Sequence, residues 1–382
     1  MRLAFIFKAY KSKRNRLLRQ KIDVAGIIYN HCIALHKKYY KIYKKYLNVY
    51  ELSKHITKLK KRNKYHYWKI LGSQAIQDII QRIDRAYTAF FRNLKSKSKR
   101  RVNPPTFKKV KKYKSFTLKQ VGYKILGGNR IKIGKITYKF SKSREIEGGI
   151  KTLTIKRDSL GDIYFCFSCE VKSFSQNRVA SGKMAGFDFG LKTFLTCSDE
   201  SEIESPEFLK KGLNDIRKAS RKFSSKKKGS NNHKKSRLNL ARAHKSIANR
   251  RKDYHFKLAK KLAKEYDNLF FEDLNISAMQ KLWGRKVSDL GFSMFINVLK
   301  HQCNKHGSKV RFLDRYFAST KRCHVCWKIV DNMTLQIRSW TCPYCCTFHH
   351  RDSNAAKCIL IEGASSIGLG DVRLALAPAI PA

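Results

Sequence analysis

Hydrophobic positions along the chain change period several times. In residues 1–10, Leu3, Phe5 and Phe7 alternate with Arg2 and Lys8, which predicts a β-strand. From about Arg14 to Leu94 the period lengthens. Leu18, Ile22, Ala25, Ile28 and Cys32 form one helical stripe, and Ser73 is placed to cap a helix carrying Ile76, Ile80, Ile83, Tyr87 and Phe90. Pro104-Pro105 ends the helical pattern. Alternation then returns through Phe107, Ile125, Ile131, Ile133, Ile136, Tyr138, Phe140, Leu153, Ile155, Ile163 and Phe165, punctuated by Gly127-Gly128, Gly148-Gly149 and Gly161. The expected arrangement is a small β-barrel from residues 1–10 and 101–175, with residues 11–100 inserted as a helical segment.

Beyond a polar linker, Met184–Thr196 is an apolar stretch interrupted by Asp188 and Gly190. Residues 208–265 read as a basic helical hairpin broken at 229–232. Its second arm sets Leu238, Ala241, Ile247, Tyr254, Leu258 and Leu262 on one face, with Arg242, Lys245, Arg250 and Arg251 elsewhere. It feeds a second apolar strand ending in acid, Asn268-Leu-Phe-Phe-Glu-Asp-Leu-Asn275. A helix with Phe292, Phe295, Ile296 and Leu299 closes at Gly307, Lys309–Leu313 is a further strand, and Arg351–Ala356 opens a last helix. Residues 180–322 and 348–365 are expected to form one domain around an insert at 323–347, and 366–382 a disordered tail.

Charge narrows the class of partner. With 84 basic and 27 acidic residues the formal net charge is +57, which self-repulsion makes hard to sustain without a polyanion. Aromatic residues are 12% of the chain, and Tyr39, Tyr40, Tyr43, Tyr46 and Tyr50 lie among lysines, as in surfaces that stack bases beside neutralised phosphates. A ribosomal-type basic protein is the competing class on charge alone. No stretch approaches the ~18 apolar residues of a membrane span, and the first residues do not form a secretion signal. An intracellular, nucleoid-associated protein of bacterial type is expected.

In such a compartment the eleven cysteines stay reduced, and paired ones point to metal. Cys323-x2-Cys326 and Cys342-x2-Cys345 have the spacing of a ribbon that closes four thiolates around one structural Zn²⁺. Cys166-x2-Cys169 does not, because positions i and i+3 of a strand point to opposite faces.

Three acids remain: Asp188, Glu272 and Asp352 each sit at the end or start of an apolar element. Hydrolysis of phosphodiesters with two metals needs carboxylates gathered from distant elements to hold ions ~4 Å apart, and Mg²⁺ is the natural ion.

Gly186-Phe-Asp-Phe-Gly190, Phe271-Glu-Asp-Leu-Asn275, Ile247–Asp253, Ala318–Cys323, the ribbon and Arg351-Asp-Ser-Asn-Ala-Ala356 together resemble the split RuvC signature of the TnpB family, transposon-encoded RNA-guided DNA nucleases related to type V CRISPR effectors. The resemblance implies a multidomain α+β chain with an RNase H-like (RuvC) core, an inserted zinc ribbon and a preceding barrel with its helical insert. It makes Asp188, Glu272 and Asp352 the Mg²⁺-binding catalytic triad, with Arg338 near the scissile phosphate. A guide RNA from the element and a double-stranded target DNA would be the partners, the target read beside a short motif. Gln74 and Gln77 are candidate adenine readers, and Tyr50, Arg242, Arg250 and Arg251 candidate nucleic-acid contacts. A nuclease-inactive RNA-guided regulator and an RNase H-like transposase are the alternatives. The chain departs from the family pattern at His350, where an acid is usual, and at Trp327 and Cys346, where glycines often follow the knuckles.

Overall fold

The computed structural model describes residues 1–96, 101–172, 180–331, 333–334 and 336–368, in two units, 1–173 and 174–382. Most of the expected tail, from 369 onward, lies outside the described residues. Among those described, no helix is long and apolar enough to cross a membrane.

In the first unit, β1 (Arg2–Lys8) precedes α1 (Asn15–Tyr43), α2 (Val49–Leu59) and α3 (Ser73–Lys95). Leu18, Ile22, Ala25, Ile28 and Cys32 are buried, so the helical stripe of α1 is core. Helix α3 is capped by Gly72 rather than Ser73, which is its first helical residue. Helix α2 carries a capping box: Asn48 accepts from the Glu51 N–H while the Glu51 carboxylate accepts from that of Asn48.

Strands β2 (Ser115–Leu118), β3 (Tyr123–Ile125), β4 (Arg130–Ile133), β5 (Ile136–Lys139), β6 (Gly149–Arg157) and β7 (Ile163–Glu170) follow. They form a four-stranded sheet, β1-β7-β6-β2, and a separate three-stranded sheet, β3-β4-β5. The expected barrel does not close among the described residues. Only an isolated bridge, Ala9 to Phe140, links the exit of β1 to the end of β5. At the β2 edge, a helix supplies partners instead of another strand: Arg82 of α3 donates to the Ser115 carbonyl and the Thr117 hydroxyl. In β7, Cys169 is buried and Cys166 only partly so, as expected of thiols on opposite faces.

The second unit is built on a five-stranded sheet of order β10-β9-β8-β11-β12. Strands β8 (Met184–Asp188), β9 (Thr193–Cys197) and β10 (Glu202–Glu204) form an antiparallel meander. The basic hairpin α4 (Phe208–Ser224) and α5 (Asn231–Glu265) leads to β11 (Asn268–Glu272), which runs parallel to β8. After α6 (Ile276–Leu290) and α7 (Phe292–His306), β12 (Lys309–Leu313) adds in parallel to β11. A two-stranded ribbon, β13 (Ser339–Thr341) and β14 (Phe348–His350), runs straight into α8 (Arg351–Ser365).

The central strands are covered on both faces, which is why they read as unbroken apolar runs. Ala185, Phe187, Leu269 and Phe271 pack with α5 and α7, while Phe270 packs with Ile359 and Leu360 of α8. Helix α8 lies so close that a Cβ on Gly186 would fall 2.2 Å from the Ala356 carbonyl oxygen, and one on Gly363 2.2 Å from the Phe270 ring. Strand alternation then turns Asp188 and Glu272 to the same face as Gly186 and Phe270, toward α8.

Candidate metal centres

Asp188 ends β8, Glu272 ends the adjacent parallel β11, and Asp352 stands in the first turn of α8. All three therefore gather at the carboxyl edge of the parallel strands, where open α/β sheets bind ligands. Their proximity shows in their electrostatics. Burial, then the neighbouring Asp352 and Glu272 carboxylates, push Asp188 up to about 7, against the pull of the Phe189 N–H and Arg351. Burial also raises Glu272; Asp273 adds to the rise, while the Ser319 hydroxyl, donating to Oε2 at 3.4 Å, opposes it. Asp273 itself is ion-paired to Arg315. A buried carboxylate whose proton affinity two neighbouring carboxylates raise further suits a divalent cation, which relieves the repulsion. Arg338 lies 3.7 Å from Asp352 and is otherwise well exposed, so its guanidinium is free to reach an anion beside the carboxylates.

Cys323, Cys326, Cys342 and Cys345 bring four Sγ atoms within 4.8 Å of one another. The pairs Cys323–Cys345 and Cys326–Cys342 are each 3.6 Å apart. Zn–S bonds of ~2.3 Å in a tetrahedron place sulfurs about 3.8 Å apart, so the four thiols fit one Zn²⁺ with no position left for substrate. The two knuckles repeat one turn: the Trp327 N–H donates to the Cys323 carbonyl and the Cys346 N–H to that of Cys342. Trp327 (φ 65°) and Cys346 (φ 56°) both lie in the left-handed region. The family's usual glycines at these two places thus have a conformational reason.

The two centres share α8. The Asn354 carboxamide oxygen accepts from the His324 backbone N–H at 3.0 Å, and its amide donates to the Arg322 carbonyl at 2.7 Å. Arg351, also buried, donates to the Thr334 carbonyl, and its backbone N–H to that of Arg338. The first turn of α8 is thereby fastened to the ribbon on both sides of Asp352. Ser319 and Asn354 were not singled out from sequence, although both lie inside the quoted stretches Ala318–Cys323 and Arg351–Ala356. His350 is exposed at the N-cap of α8 and makes no capping bond.

The nucleic-acid candidates divide. Gln77, Arg242 and Arg250 are exposed, and Tyr50 is 74% exposed. The Gln74 oxygen is engaged inside its own unit, accepting from the Lys119 and Val121 N–H groups. Arg251 is ion-paired at 3.0 Å to Asp289, which also accepts from the Leu209 and Lys210 N–H groups at the start of α4. That pair holds helices together.

Comparison with known proteins agrees with this architecture. Residues 164–282 match the family described as "Probable transposase", and residues 292–359 the family "Cas12f1-like, TNB domain". A protein of Streptomyces pristinaespiralis named "Putative RNA-guided DNA endonuclease" is 32% identical over 222 residues, 58% of this chain and 54% of that protein, so the match spans about half its length. "Putative RNA-guided DNA endonuclease InsQ" of Escherichia coli K12 is 25% identical over 374 residues, 93% of this chain and 90% of the relative. The fold resembles that of the protein in the cryo-EM structure of the Cas12f1-sgRNA-target DNA complex, with TM-score 0.56 and 15% identity over 91% of this chain and 83% of the other. The fold is thus that of a small Cas12 protein, with the two family matches covering residues 164–282 and 292–359. Both of the relatives named above carry the name of putative RNA-guided DNA endonucleases.

Proposed function

We propose that this chain is the RNA-guided DNA endonuclease of a transposable element. The observation that carries the reading is the convergence of Asp188, Glu272 and Asp352 at the carboxyl edge of one sheet, with each carboxylate oriented by its own element. On this reading the five-stranded sheet with α8 is a RuvC-like core. Asp188, Glu272 and Asp352 would hold Mg²⁺, which when bound supplies the activation of water and the stabilisation of the leaving oxygen. Ser319 orients Glu272 by its hydroxyl bond, the ribbon holds the first turn of α8, and Arg338 meets the scissile phosphate. The net charge of +57 supports a polyanionic partner, and the relatives' names, which specify RNA guidance and DNA cutting, support a guide RNA and a DNA target, read here as double-stranded. The first unit would grip that RNA and read a short motif in the target, with Gln77 and Tyr50 on its exposed surface.

The test is purification of the chain with the RNA it retains, followed by incubation with matching DNA in Mg²⁺. Wild type should cut, and Asp188→Ala should bind the same DNA while cutting roughly a thousandfold more slowly, the loss of several kcal/mol of transition-state stabilisation. Undiminished cutting by Asp188→Ala would sink the assignment. Wild type that binds without cutting would be a regulator, and one that carries no RNA but joins element ends a transposase.

A further inference from the structure

Beside the carboxylates, on the opposite face of the sheet, a cleft of about 280 Å³ opens between β11, β12 and α7. Its apolar wall is Phe189, Phe292, Ile296 and Phe312, and its rim carries Asn297 and Lys300. Two of its lining residues belong to the carboxylate centre's own strands: Glu272 itself, and Phe189, the residue after Asp188. Helix α7 turns two faces outward from its axis. Phe292, Phe295, Val298 and Leu299 are in the core, while Ser293, Asn297 and Lys300 form an exposed ridge along the cleft. Phe312 is 37% exposed, a high value for a Phe on a strand of the central sheet, and Lys300 lies 4.5 Å over its ring.

We infer that this cleft receives an unpaired nucleobase of the DNA strand being cut, the one next to the scissile phosphate; this rests on the nuclease reading above. Three features select that occupant. The cleft borders Glu272, so a strand whose phosphate meets the carboxylates brings its neighbouring base to the cleft mouth. The wall is aromatic and aliphatic, as a base separated from its stack requires. Charge separates the parts of the ligand. Lys300 stands on the rim where a flanking phosphate would pass, whereas Ser293 and Asn297 offer neutral hydrogen-bonding groups to a base edge. The volume is near the lower limit of small-molecule pockets, ~300 Å³, which suits one base rather than a peptide segment.

The experiment uses the RNA-loaded protein carrying Asp188→Ala, bound to target DNA in which 2-aminopurine replaces each nucleotide of the cut strand in turn. One position should change fluorescence on binding, and the wild-type protein should cut beside it. Asn297→Trp, which fills the cleft from its exposed side, should abolish that change while leaving guide RNA and target affinity intact. In cleavage by wild type, an abasic nucleotide at that position should slow cutting roughly 5- to 150-fold, the range for loss of one stacked base. Phe312→Ala should slow cutting of intact DNA and lose less than wild type on abasic DNA. The inference is overturned if wild type cuts but no position responds to Asn297→Trp, or if abasic and Phe312→Ala effects multiply independently. A responding position in a protein that cuts nothing would instead overturn the nuclease reading, and the cleft would then bind a base that lies beside no scissile phosphate.

Discussion

The four thiols and the three carboxylates are both candidate metal centres of the second unit, yet they are built in opposite ways. The thiols come from one stretch, residues 323–345, and their sulfurs already stand 3.6 Å apart in pairs, near the edge length of a zinc tetrahedron. The carboxylates come from residues 188, 272 and 352, and burial together with the neighbouring Asp352 and Glu272 charges pushes Asp188 up to about 7. One centre is closed and holds a fold together; the other stays open toward solvent and Arg338. The difference teaches where each instruction is written. Local spacing sets the thiol site, whereas strand order, parallel register and two glycine contacts set the carboxylate site. Asn354 and Arg351 join them, so the closed centre supports the open one.

The largest effect should come from removing a thiol. Cys342→Ser replaces a fully buried ligand, and structural zinc contributes about 10–16 kcal/mol of binding free energy in zinc-finger peptides at neutral pH. Bound zinc, read by native mass spectrometry, should fall from one per chain to near none. Cutting should fall with it, because the first turn of α8 loses its anchor on the ribbon. Asp188→Ala should do the reverse, keeping its zinc while losing cutting. Cys342→Ser protein that cuts at the wild-type rate would mean that the two centres are independent.

An intermediate effect should separate the centres by pH. In the folded chain, burial and the neighbouring carboxylates raise Asp188 from the ordinary aspartate range to about 7. Its proton therefore favours the folded, metal-free chain below pH ~4, and that contribution is lost as pH rises through 7. Mg²⁺ must displace the same proton, so Mg²⁺ affinity should rise over this window. If this is the only limiting ionisation, cutting at subsaturating Mg²⁺ should fall about tenfold per pH unit below 7 and level off above it. Zinc content should stay constant from pH 6.5 to 8.5. A flat cutting rate across that range would show that Asp188 is already deprotonated, and the electrostatic account of the site would fail.

Legibility followed the same division. The ribbon was readable because two Cys-x2-Cys knuckles need only local turns, and period gave most of the strands and helices from residue 184 to 365, but neither the short β10 nor α6. Convergence of the carboxylates was not a matter of period. It needed a parallel pairing of β8 with β11 and a close seat for α8, and single residues such as Gly186 and Gly363 mark that seat only once the partner is known. The barrel failed for a related reason: alternation identifies strands but not whether the first and last pair, and here Arg82 meets the β2 edge. The pairing of Arg251, a candidate nucleic-acid contact, was not legible because its partner Asp289 lies on a different helix, 38 residues away. The α2 capping box, Asn48 with Glu51, was local and could have been found.

The smallest effect concerns the two knuckle turns. They share one backbone hydrogen-bond pattern and a left-handed residue, Trp327 in the first and Cys346 in the second, so backbone strain alone predicts the same response to glycine at both. A left-handed conformation costs an L-residue roughly 1–2 kcal/mol, and glycine's greater freedom in the unfolded chain offsets about half of the gain. The side chains break the symmetry. Cys346 is exposed, whereas the Trp327 ring stacks under the Arg322 guanidinium at 5.0 Å and faces Phe317 at 6.2 Å. Cys346→Gly should therefore stabilise the zinc-loaded ribbon by about 0.5–1 kcal/mol, read as slower zinc loss to a chelator. Trp327→Gly should gain nothing or lose stability, because the cation–π contact at an exposed site contributes a similar amount with the opposite sign. Equal gains at both positions would mean that Arg322 is held by its bond to the Trp327 carbonyl rather than by the ring.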